Sequence, residues 1–144
     1  MHEDDTVQLL EECSAGIQMA VKSMEEVLPS INDSTLRERL NDCLDEHRML
    51  GDETHKQLQK CGGDEKKPNP VAAGMSWLRT NVQLSWNKSS ASAADLLTDG
   101  CNMGIKSLQQ YKNQYAAAKA PAQHLVDRII DSEQRLADDL KAYL

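Results

Sequence analysis

The fold turns on the stretch Leu40-Asn-Asp-Cys-Leu-Asp-Glu-His-Arg-Met-Leu-Gly-Asp-Glu-Thr-His-Lys-Gln-Leu58. With Leu36 just upstream, the residues Leu36, Leu40, Cys43, His47, Leu50 and Thr54 step by four and three. That spacing lines one face of an α-helix. The seam carries a single imidazole, that of His47, near the middle of the helix. Core stripes seldom contain such a group, because burying it without a partner is costly. His47 is therefore the first candidate for a functional position.

Working outward, the same periodicity recurs on either side. Leu10, Cys13, Ile17, Ala20, Met24 and Val27 form a seam over a helix expected at 5–28, opened by Asp5 with Gln8 reaching back and closed at Pro29. A short polar turn follows, in which Asp33, Ser34 or Thr35 can cap a helix over 34–61. Gly62-Gly63 provides its left-handed ending. Beyond a loop-like run to Pro70, the stripe Val71, Met75, Leu78, Val82 and Trp86 predicts a helix over 70–87. Further seams, Ala94-Leu97-Cys101-Gly104-Leu108-Tyr111-Tyr115 and Val126-Ile129-Glu133-Leu136-Leu140-Tyr143, predict helices over 91–118 and 121–143.

Sustained heptad-like seams on long helices call for a left-handed four-helix bundle formed by one all-α domain, residues 1–144. Short links make the first two and the last two long helices antiparallel hairpins. The 70–87 helix is long enough to travel the bundle, so the second and fourth predicted helices would run parallel by crossover. A five-helix up-and-down arrangement is the alternative.

Composition agrees. The chain has 144 residues, 40% hydrophobic and 27% charged, with 3% aromatic and no Phe, so the core rests on Leu, Ile, Val, Met and Ala. A formal charge of −7 argues against a general nucleic-acid binder and against docking on an anionic membrane. The N-terminal residues show no basic region followed by an apolar one, and no run nears the roughly 20 apolar residues of a membrane span. A cytoplasmic location is the expectation. Cys13, Cys43, Cys61 and Cys101 are widely spaced and read as buried thiols rather than disulfides.

With this architecture the chain resembles the ferritin-like superfamily, including its small bacterial and spore-coat-type bundles. The resemblance covers nearly the whole length but lies in the helix pattern. It implies a homodimer. It also implies a check for a di-iron centre, which needs one inward Glu from each of two helices and Glu-x-x-His from the other two. Glu12, Asp99, Glu46 and Asp52-x-x-His55 offer partial matches, but Glu133 is followed three residues later by Leu136, and His124 lies at a helix start. The ligand set is altered, so no catalytic residue is assigned.

Helix midpoints place His47 and Glu133 in one central layer, with Gly16 and Gly104 giving room around them. A buried His47–Glu133 pair that fixes register is the leading reading. The rival is an iron or zinc site built from His47, Glu133, Cys43 and Cys101, a set able to hold a metal of intermediate softness. A third reading places a small apolar ligand between the second and fourth predicted helices, near the glycines. The expected function is a non-catalytic structural or interaction module. A metal-binding or metal-dependent redox protein is the alternative.

Overall fold

The computed structural model describes residues 2–63 and 89–144, with side chains from Asp5 onward. Among the described residues the chain is all-helical, with no strand. Its long helices are α1 (His2–Val27), α2 (Ser34–Cys61), α3 (Ser90–Gln114) and α4 (Ala120–Leu140). Short 3-10 turns follow α1 at Leu28–Ser30 and α4 at Lys141–Tyr143. The predicted 70–87 helix, and with it the choice between crossover and five-helix arrangements, lies outside the described residues.

Local chemistry sets the boundaries. Asp33 caps α2 by accepting a hydrogen bond from the Leu36 amide at 2.8 Å. Gly62 ends it at φ 72°, a left-handed conformation that favours glycine. Ser89 caps α3 through the Ser92 amide at 3.0 Å, and Pro121 occupies the first turn of α4. Two expectations shift. Asp5 lies inside α1 rather than at its cap, and its carboxylate accepts from the Ala117 amide at 3.2 Å. The third long helix stops at Gln114 instead of 118, because residues 115–118 turn, with the Ala118 amide donating to the Tyr115 carbonyl.

Residue pairings give the directions. Arg48 pairs with Glu25, and an added Cβ on Gly63 would meet Val7, so α1 and α2 are antiparallel. Arg135 pairs with Glu46 and Arg128 with Glu53, which makes α2 and α4 antiparallel. Lys112–Asp127, together with Gly104 against Glu133, does the same for α3 and α4. Since α2 and α3 both oppose α4, they run parallel. Around the bundle α1 packs on α2 and α3, while α4 packs on α2 and α3. Consequently α2 and α3 lie diagonally, and the chain leaves α2 at one end of the bundle and enters α3 at the other.

The seams expected from periodicity are largely buried, α2's from Leu36 to Leu58 most completely. Apolar side chains gather into two clusters. One, containing Leu36, Leu40, Leu97 and Leu140, fills the end with the α1–α2 turn. The other, containing Leu10, Leu50, Leu108 and Ile129, fills the opposite end. Between them lies a polar layer of His47, Ser132 and Glu133, all buried. Burial of apolar surface in the clusters drives folding, at about 25 cal/mol per Å².

Candidate functional site

His47 comes from the centre of α2 and is 0% exposed. Its Nδ1 lies 3.0 Å from the carbonyl oxygen of Cys43, one turn back on the same helix. A carbonyl only accepts, so Nδ1 carries a proton and donates it there. The Cys43 thiol at 3.5 Å and the Ser132 hydroxyl at 3.4 Å crowd the same nitrogen, and they lie 3.7 Å from one another.

The other nitrogen faces α4. His47 Nε2 stands 3.8 Å from Glu133 Oε1, too far for a hydrogen bond but close for an ion pair. Nε2 and Glu133 Oε2 are both buried with no hydrogen-bond partner. Burial alone would lower the pKa of His47, but its contacts with Cys43 and Glu133 outweigh that and raise it to about 10. Burial pushes the Glu133 carboxyl up from its ordinary value, while His47 pulls it down. With Nδ1–H committed to the backbone, one further proton has two homes, Nε2 and the Glu133 carboxyl. In either place the pair is neutral overall.

Gly104 on α3 completes the cradle. A Cβ there would sit 2.6 Å from Glu133 Oε1 and 2.8 Å from Oε2, so the carboxylate lies directly against the glycine. Gly16 on α1 behaves oppositely, since an added Cβ would meet nothing within 4 Å. The sequence reading gave both glycines the same role, as room around the pair. Of the two, only Gly16 has room for a side chain.

That space is a cavity of about 310 Å³. Its walls are α1, through Ala15, Gly16 and Met19, and α3, through Gly100, Met103 and Ser107. Cys43 and His47 of α2 and Glu133 of α4 lie at its floor. The apolar ligand space expected between the second and fourth predicted helices is therefore displaced. Those helices, α2 and α3, are diagonal partners, and the opening lies between α1 and α3.

All four candidate residues, His47, Glu133, Cys43 and Cys101, border this cavity. Among the described residues, however, no three His, Cys, Asp or Glu side chains form a group that could hold a metal ion. Burial raises the Cys101 thiol well above its ordinary value, and the Glu133 and Cys43 charges add to the effect. Cys13 is pushed up to about 12 by burial and by Glu12. Thiols held protonated are poor nucleophiles and poor metal ligands. Cys61 departs from the buried-thiol expectation and is exposed; all four cysteines are free. Of the partial di-iron matches, Asp52, His55 and Asp99 are exposed, and Glu46 is taken by Arg135.

Sequence reasoning missed Ser132. The α4 seam was stepped by four from Ile129 to Glu133, whereas the alternative step of three reaches Ser132, which also turns inward. Comparison of the chain with protein-family models, curated proteins and solved structures returns no match.

Proposed function

We propose that the chain is a non-catalytic helical bundle of ferritin-like arrangement that works as an interaction module, with the α1–α3 cleft as its recognition surface. One observation carries this reading: two members of the polar layer, His47 and Glu133, border a cavity, and each keeps a polar atom with no hydrogen-bond partner. A pair serving register alone would be expected to satisfy those atoms, since buried polar atoms without partners oppose folding. The ferritin-like arrangement draws support from the antiparallel neighbours and the parallel α2 and α3. The homodimer expectation comes with that resemblance.

The test is metal content per chain after purification without chelator, with stability measured alongside. The expected outcome is metal far below stoichiometry and a folded protein. Stoichiometric iron or zinc that disappears in His47→Ala or Glu133→Ala would overturn the proposal in favour of a metal protein.

A further inference from the structure

We infer that the cleft between α1 and α3 binds a small neutral molecule with an apolar body and one hydroxyl or amide group, seated on the His47–Glu133 pair. This rests on the cleft being the recognition surface and adds the chemical class of its ligand.

Size comes first. A cavity of about 310 Å³ is at the lower end of the range for small-molecule sites, roughly 300–1,000 Å³. The walls are mainly apolar, and Met19, Met24 and Met103 contribute flexible thioethers that adapt to a ligand's shape. Small side chains at Ala15, Gly16 and Gly100 leave the middle of the cleft unfilled.

Polarity fixes the head group. His47 and Glu133 both line this cavity, and just beneath its surface Nε2 of His47 and Oε2 of Glu133 lack a hydrogen-bond partner, so a ligand reaches them by a small shift of the pair. They share one proton, so one of the two donates while the other accepts. A group that both donates and accepts, such as a hydroxyl or amide, can satisfy them together.

Charge fixes the class. No Lys or Arg lines the cleft among the described residues, while Glu12 does. An anion would gain no cation beyond His47, which Glu133 already balances. A cation would add a third charge beside the neutral pair, and Glu12, the other carboxylate of the cleft, already has an interaction of its own. Buried charge without compensation is strongly disfavoured, so a neutral ligand fits best.

The experiment titrates three probes into the full chain carrying methyl-labelled methionine: para-butylphenol, para-butylbenzoate and para-butylbenzylamine. NMR shifts of Met19, Met24 and Met103 report the cleft, and the exposed Met49 serves as control. The phenol should shift the three cleft methyls, saturate at one per chain, and bind at least about tenfold more tightly than either charged probe, a difference of ~1.4 kcal/mol. Gly16→Leu, placed where an added Cβ meets nothing, should abolish those shifts and keep the fold. Glu133→Gln should weaken phenol binding about tenfold while the apolar shifts persist, as expected from losing one good hydrogen bond.

Equal affinity for the three probes, shifts confined to Met49, or no binding at all would each overturn the ligand class. The bundle reading would stand in those cases. Stoichiometric bound metal would instead overturn the reading beneath it.

Discussion

The α2–α4 and α1–α3 faces are built from the same kind of helix yet solve opposite problems. Along α2–α4, Glu46–Arg135 and Glu53–Arg128 pair on the outside, and His47, Cys43 and Ser132 interlock on the inside. Along α1–α3, small residues face one another between two apolar clusters and leave a cavity. Large side chains above and below set the spacing of α1 and α3, so Gly16 and its neighbours cannot draw the helices together. Helix spacing is thus decided by the bulkiest layers, and a run of small residues produces contact or void according to its neighbours.

The contrast can be broken most forcefully at its shared point. Glu133→Ala should destabilise the chain by ~3 kcal/mol in urea denaturation, because it leaves His47 buried without its counter-charge. A loss under ~1 kcal/mol would show that the pair contributes little to the fold.

The same pair predicts a pH dependence. The folded state raises His47 from 6.5 to about 10 and raises Glu133 from its ordinary value, so it holds more protons than the unfolded chain. Stability from His47 is fully present below pH 6.5 and is lost as pH rises through about 10. The raised Glu133 acts with the same sign. Cys43, Cys101 and Glu12 border the same cavity, so the comparison needs a variant. Tm should fall by several degrees between pH 6.5 and 10 in the native chain, and by clearly less in His47→Gln.

Two matched substitutions sharpen the comparison further. Gly104→Ala drives a methyl into the Glu133 carboxylate and should cost ~1–2 kcal/mol, despite alanine's better helix propensity. Gly16→Ala meets only open space and should gain up to ~1 kcal/mol. Equal effects in thermal unfolding would mean that the two faces do not differ as described. The smallest effect is expected at the rim, where Arg128→Ala removes a half-exposed ion pair and should change stability by less than ~1 kcal/mol.

Much of this was legible in the residues. The bounds of α2 and the seams followed from periodicity and caps, because those signals are local. The pairing of His47 with Glu133 followed from helix midpoints, which long regular helices make reliable. The cavity did not follow, since its position depends on which helices are neighbours and which are diagonal. That arrangement comes from packing of whole faces, which no single seam encodes. The opposite roles of Gly16 and Gly104 were hidden for a related reason: one glycine faces space and the other a carboxylate on the neighbouring helix. Asp5 looked like a cap, but its partner at Ala117 is far away in sequence.

His47 belongs to the hairpin of α1 and α2, and Glu133 to the hairpin of α3 and α4. Each hairpin can form from local contacts, but the pair exists only once the two have docked. Because the docked pair holds a proton that the separate hairpins release above pH 7, assembly of the bundle is a proton-uptake reaction. Docking of the two hairpins should therefore weaken as pH is raised, while formation of either hairpin should not.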